Sequence, residues 1–163
     1  MVPDRTVPQV RRLRAQDRQR WGELWHGYLS FYRADLSDEV TDLTFRRLCE
    51  RDQGMLGLVA VDTEDRPIGL AHLVFHPATW SAEGYCYLED LFVDRGQRGG
   101  LVARTLFAAV YAQARERGVG RVYWNTQQYN GAARSLYDTV GELTSFVVYE
   151  HTIENDKGGS DAA

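Results

Sequence analysis

Tyr87-Leu-Glu-Asp-Leu-Phe-Val-Asp94 runs directly into Arg95-Gly-Gln-Arg-Gly-Gly-Leu-Val-Ala-Arg104. The first segment is an apolar run with two carboxylates in its middle, and it reads as a strand. The second is a glycine-rich, arginine-bearing turn that opens a helix from Leu101 to Arg117. A strand, a tight turn and a helix start in this order make an anion site. Free backbone N–H groups and the positive end of the helix dipole converge there, and a phosphate group fits. The pattern therefore predicts an α/β arrangement that binds a phosphorylated cofactor, with two acids on the strand beside it.

The rest of the chain alternates in the same way. Pro8–Leu13 reads as an edge strand. Ala15–Arg33 is a helix on which Trp21, Leu24, Trp25, Tyr28, Leu29 and Tyr32 recur at helical spacing. Asp38–Arg51 is a second amphipathic helix, capped by Ser37 or Asp38. Met55–Val61 and Ile68–Phe75 are strands joined by the turn Asp62-Thr-Glu-Asp-Arg-Pro67. His76–Gly84 reads as a loop and Tyr85–Val93 as the long central strand. Gly118–Gly120 breaks the chain. Arg121–Thr126 is then a strand, Asn130–Val140 a helix and Phe146–Thr152 a last strand. There is no repeat and no linker, so residues 1–153 are expected to form one mixed α/β domain, with residues 154–163 a polar, disordered tail.

Composition narrows the partners. A chain of 163 residues is long enough for a real core. Its net charge of −4 argues against nucleic acid and leaves room for a cationic substrate. No apolar run approaches the roughly 20 residues that span a bilayer, and the charged start lacks the apolar stretch of a signal peptide. Cys49 and Cys86 are the only cysteines. They are expected as free thiols in a reducing cytoplasm. Lys157 is the only lysine beside 18 arginines, a bias that suggests a GC-rich bacterial genome and leaves no core lysine for Schiff-base chemistry. The four histidines and two cysteines show no metal-ligand spacing, so no metal is expected.

From about Val10 to Thr152 the chain resembles the GNAT superfamily of acyl-CoA-dependent N-acyltransferases. The Gln97-Arg98-Gly99-Gly100 turn resembles the family's pyrophosphate loop. Asn130-x-x-Ala133-x-x-x-Tyr137, followed by Gly141, resembles its late helix. Tyr87-Leu-Glu-Asp is similar to the central strand of the spermidine/spermine acetyltransferases. The helix carrying Trp21, Trp25, Tyr28 and Tyr32, with the His76-Pro-Ala-Thr-Trp80 loop, is similar to the Hpa-type histone and polyamine acetyltransferases. The resemblance implies one domain with a mixed, mostly antiparallel sheet flanked by helices, its strands splayed at the cofactor site. It implies acetyl-CoA, or another acyl-CoA, as co-substrate. Members of the family often dimerise, so a homodimer whose partner completes the pocket fits the resemblance.

Residue by residue, the resemblance puts the cofactor on Leu91, Phe92 and Val93 of the strand and on Gln97, Arg98, Gly99, Gly100, Leu101, Val102, Ala103 and Arg104 of the turn. Asn125, Asn130 and Ala133 would border the pantetheine arm, although Asn125 and Asn130 equally suit a helix cap. Val102 departs from the family pattern, which has Gly or Ala there. A branched side chain at that point crowds the pyrophosphate unless the turn shifts to make room, and binding is expected to survive because main-chain N–H groups, that of Val102 among them, do most of it.

Glu89 and Asp90 are neighbours on a strand, so their side chains are expected on opposite faces. By resemblance Glu89 is the base, directly or through water, and Tyr137 the proton donor to the departing thiolate. Asp90 either anchors a cationic amine or holds structure. Trp25, Tyr28 and Tyr32 suit an ammonium group through their ring faces, and His76 with Trp80 would border the acceptor entrance. Trp21 and Leu24 are expected in the core. The resemblance implies direct attack of an amine on the thioester, with a backbone N–H near Leu91 steadying the oxyanion. Two alternatives stand beside it: a catalytically degenerate acyl-CoA binder, and a fold turned to another reaction in bacterial biosynthesis.

Overall fold

The computed structural model describes residues 7–97 and 99–153. Its centre is a five-stranded sheet in spatial order β1-β2-β3-β4-β5, with β1 Gln9–Arg12, β2 Met55–Val61, β3 Pro67–Ala78, β4 Ser81–Val93 and β5 Val122–Tyr123. The first four strands pair antiparallel, and β5 joins β4 in parallel. The sheet is open. Four helices flank it: α1 Arg18–Tyr32, α2 Asp38–Glu50, α3 Leu101–Glu116 and α4 Gly131–Val140.

Two cores sit on the two faces. On one face α3 lays Val102, Leu106, Phe107 and Val110 over Leu56, Leu58, Leu73, Cys86 and Leu88. On the other, Trp21, Leu24 and Trp25 of α1 and Phe45 and Leu48 of α2 cover Val59, Val61 and Leu70. The split follows the period-2 alternation of the strands. Trp21 and Leu24 are core residues, as their helical spacing predicts. Ser37 is the α2 cap, its hydroxyl accepting from the Val40 N–H at 3.3 Å. Asp38 and Glu39 follow in the first turn, where the dipole favours them.

Three readings of the sequence change. The expected loop over His76–Gly84 is a hairpin, because β3 continues to Ala78 and β4 starts at Ser81. Cross-strand pairs His76↔Tyr85 and Ala78↔Ser81 hold it. β5 is only Val122–Tyr123, shorter than the expected Arg121–Thr126. Phe146–Thr152, expected as a strand, has no sheet partner among the described residues. The expected disorder of residues 154–163 lies outside the described residues.

One irregularity positions the site. The β3–β4 register pairs His72 with Asp90 and Leu73 with Leu88, leaving Glu89 without a partner. Glu89 is thus the extra residue of a β-bulge. The bulge shifts the alternation of β4 by one. Cys86 and Leu88 face α3 before it, and Leu91 and Val93 face α3 after it, while Phe92 turns to α1.

Candidate active site

The bulge corrects the expectation that Glu89 and Asp90 leave opposite faces. Both carboxylates line one cavity of about 210 Å³, together with Trp25, Leu36, Thr44, Met55 and His72. A regular strand would have sent one of them into the α3 core.

Asp90 is held by a buried relay. Its Oδ2 lies 2.8 Å from Nδ1 of His72, and Nε2 of His72 lies 2.9 Å from Nε1 of Trp21. An indole nitrogen can only donate. Nε2 of His72 therefore accepts, and the ring's proton sits on Nδ1, pointing at Asp90. His72 is 2% exposed and Trp21 0%. His72 was not among the expected site residues. Its cross-strand position opposite Asp90 depends on the bulge, which no sequence pattern marks. Leu36, Thr44 and Met55 were also unforeseen, coming from the α1–α2 connection, α2 and β2.

The aromatic wall comes from one stripe of α1. Trp25 stacks on Trp21 at 5.7 Å and on Tyr28 at 5.2 Å, and Tyr28 meets Tyr32 at 4.9 Å. The Trp25 indole N–H is buried without a partner among the described residues. Burial pushes the Tyr28 and Tyr32 hydroxyls above their ordinary values, and the Asp90 charge adds to both. Burial also raises the Glu89 carboxyl, with Asp90 adding to the rise and His72 opposing it. By surface area Glu89 is exposed. The direction of the shift suits a base.

Tyr137 is half-buried on α4, its ring 5.8 Å from Phe107 and 5.6 Å from Trp124. Burial, with a smaller contribution from Tyr32, pushes its hydroxyl up to about 12. It stays protonated at neutral pH, so a proton is available there to a thiolate as it leaves. Tyr32 links the two halves, since it feels Asp90 on one side and is felt by Tyr137 on the other.

Between these halves the sheet splays. β4 and β5 pair only at Cys86↔Val122 and Tyr87↔Tyr123. Beyond Tyr87 the edge of β4 is open. The Asp94 N–H donates to the Ile68 carbonyl at 2.9 Å. By alternation Phe92 also faces β3, so Leu91 and Val93 turn their N–H and C=O groups to the open edge. Phe92 is a packing residue: its ring meets Tyr28 at 6.5 Å and lies over Gly27.

At the end of the splay the turn after β4 opens α3. Gly100 caps α3 with φ 87°, a backbone that disfavours a side chain, and its open face has no atom within 4 Å. The N–H groups of Leu101, Val102 and Ala103 have no backbone partner among the described residues. Gln97, Gly99 and Arg104 are exposed beside them. Arg98 lies outside the described residues. This cradle fits a pyrophosphate. A larger cleft, about 660 Å³, touches Gln97, Gly99, Leu101 and Val102 from the other flank. Asp62 and Asp65 line it, and its lining includes neither Leu91 nor Tyr137.

The expected crowding by Val102 does not occur. Its side chain is 5% exposed and belongs to the α3 core, with Cγ1 against Gly69. Asn130 caps α4 through the Ala133 N–H, 3.5 Å from its Oδ1, and its Nδ2 meets Thr126 Oγ1 at 3.4 Å. Asn125 reaches the Tyr87 hydroxyl at 3.4 Å. His76 and Trp80 are not brought to the cavity. Nε2 of His76 accepts from the Tyr123 hydroxyl at 2.8 Å, and Trp80 is exposed at the hairpin tip. His76 is four strand residues from His72, about 13 Å.

The Acetyltransferase (GNAT) family model matches residues 21–141. The chain belongs to the GNAT family. Relatives extend the match. A D-amino-acid N-acetyltransferase of Saccharomyces cerevisiae is 36% identical over 151 residues, covering 92% of each chain. A thialysine N-epsilon-acetyltransferase of Caenorhabditis elegans is 33% identical over 84 residues, 52% of this chain and 51% of that one. In three dimensions a probable acetyltransferase superposes with TM-score 0.79 at 22% identity, covering 91% of this chain and 99% of the other. AAC(6')-Iy, in complex with the bisubstrate analog CoA-S-monomethyl-acetylneamine, does so with TM-score 0.77 at 17% identity, over 91% and 99%. This GNAT protein is an acyltransferase, and it moves an acetyl group from acetyl-CoA to an amine.

Proposed function

We propose that this GNAT enzyme acetylates the primary amine of a small cationic metabolite by direct attack. One observation carries the reading. The bulge at Glu89 puts two carboxylates side by side in a small aromatic cavity whose lining includes no cation. An ammonium group fits between such acids and the ring faces of Trp25 and Tyr28.

The residues divide the work. The turn from Gln97 to Arg104 holds the pyrophosphate through the free N–H groups at the start of α3. Leu91 and Val93 bind the pantetheine arm as a strand would bind a neighbour. Asp90, fixed by His72, anchors the ammonium. Glu89 takes a proton from it, directly or through water, and frees the nitrogen lone pair. The amine forms the new C–N bond, the C–S bond breaks with the thiolate leaving, Tyr137 gives its proton to the sulfur, and the second proton lost by the nitrogen passes through water to the tyrosinate, which restores Tyr137. An N–H near Leu91 steadies the oxyanion. Burial pushes the Cys86 thiol up to about 11, which removes it as a nucleophile at neutral pH. Nothing in the comparisons favours a binder without catalysis.

A second acceptor reading, an amino acid of D configuration, is favoured by the 36% identity to the yeast enzyme. CoA release against a panel of polyamines, basic amino acids and D- and L-amino acids decides between them. Turnover of D-amino acids alone replaces the cationic-metabolite reading, and no release with any amine overturns both. The free thiols and arginine bias support a bacterial cytoplasm as the setting.

A further inference from the structure

The sheet face that carries the two acids continues beyond the cavity. Tyr85 and Tyr87 alternate on β4 with Cys86 and Leu88, which pack under α3, so both tyrosines stand on the face opposite α3. Tyr123 joins them from β5, stacked on Tyr87 at 4.9 Å and edge-on to Tyr85 at 6.5 Å. The three rings are half-buried and belong to neither core. Two hydrogen bonds fix this shelf. The Tyr123 hydroxyl donates to Nε2 of His76 at 2.8 Å, and Nδ2 of Asn125 donates to the Tyr87 hydroxyl at 3.4 Å. The shelf adjoins the acids. Burial raises the Tyr87 hydroxyl, the bond from Asn125 opposes the rise, and the charges of Glu89 and Asp90 add to it.

A cation stands at the far end. Arg121 lies opposite Tyr85, because Cys86 pairs with Val122. Its guanidinium sits over the Tyr85 ring at 4.9 Å and the Tyr123 ring at 5.7 Å. It is exposed and makes no ion pair among the described residues. One surface thus has acids at one end, a guanidinium at the other and tyrosine rings between. We propose that this shelf is a second subsite for the acceptor, on which Arg121 takes a carboxylate at the far end of the amine's chain. The inference rests on Glu89 and Asp90 as the amine's anchor, and it narrows the acceptor to a linear zwitterion. Charge selects this occupant. A polyamine long enough to reach Arg121 would set a second ammonium against it. A carboxylate fits better than a phosphate, since one guanidinium balances one charge and its fork matches two carboxylate oxygens. Spacing selects the length. Tyr85 is four residues from Glu89 on β4, about 13 Å at the rise of a strand. The bulge and the reach of the arginine shorten the span to about 10 Å. An α-amino acid carries both groups on one carbon and cannot touch both ends. A straight-chain ω-amino acid can, and so can a peptide of about three residues. The rings between suit methylenes or peptide planes.

The test uses the full chain. CoA release is measured with straight-chain ω-amino acids from aminobutanoate to aminododecanoate, each against the alkylamine of equal length, and with triglycine against its amide. In the wild type the carboxylate is expected to lower KM by about fivefold at one chain length, the upper end of what a partly exposed ion pair delivers, while kcat holds. Arg121→Gln, at an exposed position, is expected to fold and to bring the paired KM values together. A preference among the ω-amino acids alone puts a methylene chain on the shelf, and one for triglycine alone puts a peptide there; both support the subsite. Release with alkylamines but no carboxylate preference at any length overturns the subsite, as does a preference that survives Arg121→Gln, and either leaves acetyl transfer to amines standing. No release with any amine overturns the reading of the acid pair and this inference with it.

Discussion

Replacing His72 by phenylalanine tests the relay that fixes Asp90. The ring keeps its place against Trp25 at 5.2 Å and Trp21 at 5.9 Å, so packing volume is held nearly constant. What is lost is two hydrogen bonds. The Trp21 N–H, wholly buried, is left without an acceptor, and Asp90 loses its donor. A buried unsatisfied group costs about 1–3 kcal/mol, and more where it is charged. His72→Phe is therefore expected to destabilise by roughly 2–5 kcal/mol in urea unfolding at unchanged m-value. It is also expected to raise KM for the amine by about tenfold, the equivalent of 1.4 kcal/mol of lost binding. Trp21→Phe alone removes the indole donor, leaves a cavity where the larger ring packed, and spares the bond to Asp90. Combined with His72→Phe it is expected to cost less than the sum, because no orphan donor remains. His72→Asn places an amide nitrogen near the old Nδ1 position. It is expected to recover KM more than stability. Unchanged stability and KM in His72→Phe would refute the relay. A loss of stability with normal KM would make His72 a core residue with no bearing on the acceptor.

Tyr137→Phe keeps the ring on Phe107 and Trp124, so unfolding is expected to be unchanged while kcat falls about 10²-fold in a thiol-release assay. Glu89 must be ionised to act, and its pKa is raised, so wild-type kcat/KM is expected to fall as pH drops through that raised value; Glu89→Gln is expected to lose this acid limb and to recover partly at high pH. The linkage has the opposite sign for stability. A carboxyl raised in the folded state favours folding below its unfolded pKa and loses that advantage as pH rises, so urea midpoints are expected to show Glu89→Gln no less stable than wild type at neutral pH. Acetyl-CoA at about 100 times its Kd is expected to stabilise by about 2.7 kcal/mol in a thermal melt, and an unchanged melt at millimolar ligand would refute the pyrophosphate cradle. Val102→Gly is expected to cost about 2–3 kcal/mol through lost core packing and helix propensity, with acetyl-CoA affinity by calorimetry nearly unchanged because the side chain points away from the cradle.

The sequence by itself determined whatever depends on local spacing. Glycines before an apolar helix suit a positive-φ cap at no steric cost, so the cap at Gly100 was legible. The aromatic stripe of α1 and the core positions of Trp21 and Leu24 follow from a 3.6-residue period that any amphipathic helix obeys. Tyr137 was placed by its spacing from Asn130 and Gly141. Tertiary structure alone decided the rest. Whether Glu89 and Asp90 share a face depends on one unpaired residue in the register with β3, and period 2 carries no mark of a bulge. The Trp21–His72–Asp90 relay joins residues 51 and 18 positions apart, so no local pattern contains it. Val102 sat at a motif position that named its neighbour as phosphate, but rotation about α3 turned it onto Gly69. Phe146–Thr152 carried a strand's composition without a strand's partner. Composition sets a segment's preference for pairing, and only the placement of an open edge decides what it pairs with.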